Sequence, residues 1–277
     1  MSAGFIGLGN IGKPMALHWA GGKQALVVFD MVPQATVDLV AAGARVAATV
    51  AELAREAEII GICVRDDKDV EQVLSGAGGI LENARPNTVV LIHSTVKQES
   101  ILEWHERGKR KSMHIIDASV TRATLSNKFC YMLGGDAALV DRCRPLLTAG
   151  GNAVVHAGPV GAAIALKLCN NMMTYASFIA IHEAYKLAQA FGIDPEMLHQ
   201  VSNTNGVITP SMAGFIRARG EIAKQGEAVL QGAFGPHGAL GKKDMAAAFQ
   251  SAKKHHISLP GAQKTEELIA DVFVNRY

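Results

Sequence analysis

Three glycines, Gly7-Leu8-Gly9-Asn10-Ile11-Gly12, stand between an apolar run at residues 4–8 and a helix-like stretch at 11–19. No other feature constrains the fold as strongly. A strand that turns into a helix within a few residues needs Gly7 for the tight turn. Gly9 leaves the backbone open to close approach, and Gly12 lets the helix lie against the strand. The new helix also offers unpaired N–H groups at its start, the usual seat of a phosphate. The whole turn, Asn10 and Ile11 included, therefore reads as a cradle for the pyrophosphate of a dinucleotide. The glycine spacing alone is a weak signal. The strand before it, the helix after it and a second strand ending in an acid make it specific.

Beyond the turn, strands and helices alternate. Apolar strand candidates fall at 4–8, 25–30, 59–64, 88–92, 113–118 and 129–134. Helix-like patterns separate them at 11–19, 34–42, 51–57, 69–74 and 98–110, with another at 137–147. Strands alternating with helices imply a mostly parallel sheet covered on both faces, with the last strands free to run antiparallel. Near Val160 the pattern changes to one long helical run, 161–191, stopped by Gly192. Shorter helices are expected at 195–201, 211–219 and 242–255. A last one should run from Pro260 to about residue 274, since proline suits a first helical turn. The expected architecture is an α/β Rossmann-type N-terminal domain, residues 1–159, followed by an all-α C-terminal domain, 160–277, joined by the long helix.

The second strand candidate ends in Asp30, where a carboxylate can accept hydrogen bonds from an adenosine ribose and would repel a 2′-phosphate. Met31 comes next, so no cation waits for that phosphate, and NAD is expected over NADP. Ligands of open parallel sheets sit beyond the carboxyl ends of the strands. Cys63-Val64 and Ser94-Thr95 end two more strands on that edge and are candidates to border the cofactor. Ser94-Thr95 reads equally well as a helix cap. Arg65 reads as a surface charge.

Composition closes off several alternatives. Apolar residues are 49% and charged residues 19% of 277, with a formal net charge of +2. Such a chain buries a core and lacks the positive field of a general nucleic-acid binder. The run Lys109-Arg110-Lys111 reads as a solvated helix end. The four cysteines form no CxxC pair and read as small buried residues in a reducing compartment, without metal. No leader pattern opens the chain, and no uninterrupted apolar run nears the roughly 18 residues of a membrane span. A cytoplasmic protein is expected, with no nucleic-acid or membrane partner.

In the long helix, Lys167, Asn170 and Asn171 sit three and four residues apart and share a face. A lysine beside amides in an otherwise apolar helix can hold a carbonyl or hydroxyl oxygen, and a lysine can serve as general acid or base.

At this point the chain resembles the β-hydroxyacid dehydrogenases. Residues 4–16, GFIGLGNIGKPMA, are similar to that family's N-terminal signature. Asp117-Ala118-Ser119-Val120-Thr121 resembles its substrate motif, residues 158–171 its catalytic motif, and Lys243-Asp244-Met245 its C-terminal cofactor motif. The resemblance implies that Lys167 is the general acid/base of a hydride-transfer reaction. It further implies that Asn171, with Asn170 beside it, binds substrate, that Lys243 approaches the cofactor, and that Asp244 helps fix that region. Ser94-Thr95 falls where the family has nicotinamide-side contacts.

One departure bears on the substrate. The family commonly has Ser-Gly-Gly after its Asp-Ala-Pro-Val stretch. Here Thr121-Arg122-Ala123 takes that place, and Ser119 replaces the proline. Arg122 then offers a guanidinium for a carboxylate or sulfonate, a pattern similar to the sulfolactaldehyde reductases. The alternative is an Arg122 on a loop, turned to solvent. The expected reaction passes a hydride between NAD and a short anionic hydroxy acid or its semialdehyde. An imine reductase of the same fold and a non-catalytic dinucleotide-binding scaffold are the alternatives. Apolar residues along the long helix, Met172, Met173, Tyr175, Phe178 and Ile179, point to a homodimer or homotetramer. Phe234-Gly235-Pro236-His237-Gly238 is expected as a loop, and His255-His256 as the end of a helix.

Overall fold

The computed structural model describes residues 2–22, 24–123 and 128–274. It divides into two compact units, 1–167 and 168–277. The first is built on an eight-stranded sheet: β1 (Ser2–Ile6), β2 (Ala25–Phe29), β3 (Arg45–Val46), β4 (Ile59–Ile62), β5 (Val89–Ile92), β6 (His114–Ala123), β7 (Lys128–Gly134) and β8 (Ala153–Gly158), in the order β3-β2-β1-β4-β5-β6-β7-β8. All neighbours pair in parallel except β6 and β7. The helices between strands are α1 (Gly12–Ala20), α2 (Val37–Ala41), α3 (Val50–Glu56), α4 (Asp67–Ser75), α5 (Ile80–Asn83), α6 (Gln98–Lys109) and α7 (Ala137–Leu147).

The central strands are apolar on both faces because both faces are covered. Phe5, Val28, Ile59, Val89 and Leu91 enter one buried cluster, with Met15 and Trp19 of α1. Their strand neighbours Ile6, Val27, Ile60, Ile62, Val90 and Ile92 enter another, with Leu53 of α3 and Trp104 of α6. The sheet order steps outward from β1 through β2 to β3, then reverses to β4. The reversal makes a crevice at the carboxyl ends of β1 and β4, where ligands bind in open α/β sheets.

Helix α8 (Ala162–Ala190) contains the boundary between the units, and α9 (Pro195–Thr204), α10 (Pro210–Ala223), α11 (Glu227–Lys254) and α12 (Pro260–Val274) complete the second. The second unit packs Tyr175 and Ile179 of α8 with Leu230, Phe234, Met245, Ile269 and Phe273. Phe215 stands edge-on to Phe234, with ring centroids 5.2 Å apart. By length and composition α8 is the one described helix able to cross a membrane, and 33% of its apolar window is buried inside the protein. The run is interrupted by Lys167, Asn170 and Asn171.

Three differences from the sequence reading have physical causes. Strand β8 and the two-residue β3 were not anticipated. β8 is half-exposed at the sheet edge and β3 is exposed, so neither has the apolar run that marks a central strand. The 234–238 segment is no loop: α11 runs straight through Pro236. A Cβ on Gly238 would stand 3.0 Å from Ala270 Cα, so the absence of a side chain here lets α12 pack close. His237 accordingly lies in a helix, its ring stacked at 6.1 Å on Phe273. Nor are all four cysteines buried. Cys143 is, Cys63 and Cys130 are half-buried, and Cys169 is exposed. The other readings of surface features stand: Arg65 is exposed and paired with Asp69 at 2.6 Å, and α11 ends at Lys254 before His255.

Candidate dinucleotide and substrate site

The glycine turn has the shape its spacing implies. Gly7 has a φ of +91°, in the left-handed region that favours glycine, and a side chain there would meet the Cys63 carbonyl. A Cβ on Gly12 would run into the Gly7 carbonyl. Gly9 has open space around it, with nothing within 4 Å of where a Cβ would stand. Two glycines thus close the turn, and the third leaves one side clear for a phosphate. Helix α1 starts after Ile11 with no side-chain cap; the Lys13 amide donates to the Gly9 carbonyl at 3.0 Å and Pro14 has no N–H, so the amides ahead of Lys13 are the ones left for a phosphate.

Asp30 closes the turn from β2. One carboxylate oxygen accepts from the Leu8 amide at 2.6 Å, and the other accepts from the Val32 amide at 2.8 Å. Each oxygen keeps a lone pair for a ribose hydroxyl. Met31 beside it is 90% exposed, which leaves the adjoining surface without a cation at that position. These residues fit a nicotinamide dinucleotide.

Cys63 and Val64 come after β4, and Ser94 after β5. The Ser94 hydroxyl donates to the Val64 carbonyl at 2.8 Å and accepts from the Val64 amide at 2.9 Å. Ser94 therefore joins two strand ends and does not cap α6, whose N-cap is Lys97. Burial pushes the Cys63 thiol up to about 12, so it stays neutral beside the turn. Thr95 is half-buried at the same edge. His93, just before Ser94, is fully buried. Its Nδ1 lies 2.7 Å from the Ala118 carbonyl, and burial pushes its pKa down to about 4, so it is neutral and Nδ1 carries the donated hydrogen.

Strand β6 carries the substrate-motif residues. Ser119 is buried and Thr121 half-buried, and alternation along the strand puts both on the same face as Asp117. Arg122 lies on the strand itself, not on a loop. It is exposed, with its guanidinium 5.9 Å from the Phe129 ring centre. Asp117 is 1% exposed. Its two oxygens accept from the Gly161 amide at 2.8 Å and the Ile164 amide at 2.9 Å. Burial raises its pKa while those amides hold it down. The start of α8, and Lys167 one turn beyond Ile164, is thereby tied to the strand bearing Ser119 and Thr121. Lys167 is half-buried.

In the second unit, Asn171 is 8% exposed and its Nδ2 donates to Asp244 Oδ2 at 2.8 Å. The Tyr175 hydroxyl donates to the same oxygen at 3.2 Å. Asp244 thus sets the orientation of the Asn171 amide, a link between residues 73 positions apart that spacing cannot reveal. Asn170 is half-buried and Lys243 exposed.

A Rossmann-type sheet with a dinucleotide cradle at its switch point, followed by a helical unit, defines a nicotinamide-dinucleotide-dependent oxidoreductase. Comparison with known proteins bears this out. A model of the NAD binding domain of 6-phosphogluconate dehydrogenase matches residues 2–158. A second, for the NAD-binding region of NADP-dependent 3-hydroxyisobutyrate dehydrogenase, matches residues 161–275. An uncharacterized oxidoreductase of Mycobacterium tuberculosis is 35% identical over 274 residues, 96% of this chain and 91% of that one. The NAD-dependent L-serine dehydrogenase of Pseudomonas aeruginosa is 33% identical over 200 residues, 71% of this chain and 67% of that one. The solved structure of Mycobacterium tuberculosis 3-hydroxyisobutyrate dehydrogenase with L-serine shares the fold. Its TM-score is 0.80 at 24% identity, over 98% of this chain and 92% of that one. The chain belongs to the β-hydroxyacid dehydrogenase family and is a hydroxyacid-dehydrogenase-like oxidoreductase.

Proposed function

We propose that this protein is an NAD-linked dehydrogenase of a short β-hydroxy acid, carboxylate or sulfonate, or of the matching semialdehyde. The observation that carries the reading is the Asp117 clamp. It fixes the helix bearing Lys167 to the strand bearing Ser119 and Thr121. The bound dinucleotide supplies the hydride acceptor or donor. Asp30, Gly7, Gly9, Asn10, Ile11 and Gly12 hold its adenosine and pyrophosphate, with Cys63, Val64, Ser94, Thr95 and Lys243 bordering it. Asp30 favours NAD, because two carboxylate oxygens beside Met31 would repel a 2′-phosphate.

Lys167 removes the hydroxyl proton as the substrate carbon is oxidised, or returns it in reduction. Thr121, Ser119, Asn170 and Asn171 orient the substrate, and Arg122 receives its acid group. A guanidinium fork suits either a carboxylate or a sulfonate. Absorbance of the reduced nicotinamide, monitored on a panel of short β-hydroxy carboxylates and sulfonates with NAD and with NADP, tests all of this. Turnover of one class names the anion. Turnover only of imines would assign an imine reductase, and bound NAD with no turnover of anything would assign a scaffold.

The same proposal includes a homodimer or homotetramer in the cytoplasm. Of the five apolar residues expected at the contact, Tyr175 and Ile179 are buried in the unit's own core and Met172 and Phe178 pack against it, so the support falls to Met173, Leu187 and, just after the helix, Phe191, which are 63%, 61% and 71% exposed, apolar surface that a second copy would cover. Four cysteines, all of them free, suit a reducing compartment. Light scattering of the purified protein reads the oligomer directly.

A further inference from the structure

Gly161, the residue before α8, is held by two elements of the first unit. Its amide donates to Asp117 of β6 at 2.8 Å, and its carbonyl accepts from Gln98 Nε2 of α6 at 3.0 Å. The first bond is part of the Asp117 clamp. The second comes from a residue outside both the dinucleotide cradle and the substrate motif. Gly161 has a φ of +89°, and a Cβ there would stand 3.2 Å from Gln98 Cγ, tighter than ordinary packing. The glycine thus lets α6 approach closely enough for Gln98 to reach the carbonyl.

Gln98 reaches Gly161 from a fixed base. It is half-buried and opens α6, between two groups held by Asp67 of α4. The Lys97 amide donates to Asp67 Oδ1 at 3.2 Å, and the Ser100 hydroxyl donates to the same oxygen at 2.5 Å. Earlier in the same connection, Ser94 is bonded to both the amide and the carbonyl of Val64. The segment from β5 to α6, which carries Ser94 and Thr95, is therefore anchored at both ends, and Gln98 extends it to α8. Asp117 by itself leaves one freedom open. Both of its bonds end on a single carboxylate, so the helix can rock about that group. The helix's own bond is weak here: the Ala165 amide reaches the Gly161 carbonyl at 3.4 Å, beyond the usual length of about 2.9–3.0 Å. A carbonyl has two lone pairs, so Gln98 and Ala165 share this one, and the bond from α6 removes the rocking motion. Lys167 stands one turn beyond Ile164, so a small rotation at the helix start displaces its long side chain.

We propose, resting on the dehydrogenase reading, that Gln98 is a positioning residue: its side-chain amide braces the start of α8 against the segment bearing Ser94 and Thr95 and so holds Lys167 in register with the nicotinamide side. Gln98 acts only through the Gly161 carbonyl. A displacement of about 1 Å at a reacting group can cost roughly a hundredfold in rate. One hydrogen bond placed here therefore has leverage on turnover, while the dinucleotide cradle at Gly7–Gly12 and Asp30 is untouched.

Two variants separate the hydrogen bond from simple packing. Gln98→Met keeps the length of the side chain and removes its donor. Gln98→Glu keeps the shape and, at about pH 8, sets an ionised carboxylate against the carbonyl. With NAD saturating, kcat on a hydroxy acid should fall by roughly tenfold in Gln98→Met, the scale of one lost hydrogen bond, and at least as far in Gln98→Glu, while NAD affinity holds. A packing role would instead leave Gln98→Glu, the closer match in shape, near the original. A second readout needs no turnover. Trace acetylation of the NAD-saturated protein, resolved by mass spectrometry, compares the rate at Lys167 with the rates at the other lysines. Gln98→Met should shift the rate at Lys167 and leave lysines remote from α6 and α8 unchanged. An original protein that oxidises no hydroxy acid, with the Lys167 rate still shifted in Gln98→Met, would overturn the dehydrogenase reading and support the brace. An unmoved Lys167 rate, an unmoved kcat, or a Gln98→Glu variant that behaves like the original would overturn the positioning role.

Discussion

Asp117 of β6 holds the amides of Gly161 and Ile164 at 2.8 and 2.9 Å, so one buried carboxylate fixes where the helix bearing Lys167 begins. Asparagine is nearly the same shape but presents an NH₂ group where one oxygen stood, opposing a backbone N–H. Asp117→Asn should therefore cost roughly 1.5–3 kcal/mol of stability, the range for a hydrogen bond to a charged group. Chemical denaturation checks the cost. If the clamp positions Lys167, kcat should fall while NAD affinity, set at the other end of the sheet edge, stays within about twofold of the original. A stability loss with unchanged kcat would make Asp117 a purely structural residue.

The cofactor preference rests on Asp30 and its neighbour. Replacing both, as Asp30→Ala with Met31→Arg, removes the repulsion and installs a cation for a 2′-phosphate. The ratio of kcat/KM for NADP to that for NAD should rise by roughly tenfold or more, the scale of one charge-assisted contact. The variant also releases the Leu8 and Val32 amides, so its melting temperature should drop. A ratio that does not move would mean that Asp30 holds the turn without reading the ribose.

Stability should depend on pH through His93. Burial holds its pKa at about 4 in the folded protein, against an ordinary value near 6.5 in the unfolded chain. Above about pH 6.5 both states are neutral at this residue. As the pH falls from 6.5 towards 4 the unfolded chain takes up the proton and the folded one does not, so stability declines by about 1.4 kcal/mol per pH unit. His182, also held at about 4, adds to the slope in the same window. His93→Leu should remove one proton from that dependence while lowering stability overall, because the bond to the Ala118 carbonyl is lost. Denaturation curves at several pH values between 4 and 7 read both effects.

Much of the molecule is legible in the residues alone. Gly7, Gly12 and Asp30 occupy positions whose backbone or charge requirement is written in the residue type, and the turn they form is a consequence. Pro260 marks the start of α12 because proline suits a first turn. Local signals failed where a distant partner decides the outcome. Gly235-Pro236 looks like a break until α12 is seen packed on Gly238. The hold of Asp244 on Asn171, and that of Asp117 on Gly161 and Ile164, join residues far apart in sequence.

The central claim is that Lys167 moves the proton in an NAD-linked oxidation of a short anionic hydroxy acid. The most direct measurement is steady-state turnover of the original protein and of Lys167→Ala, with NAD binding measured separately on both. The expected result is unchanged NAD affinity and a kcat lower by roughly 10²–10⁴-fold, the usual loss for one positioned acid/base group. Near-normal turnover by Lys167→Ala would contradict it.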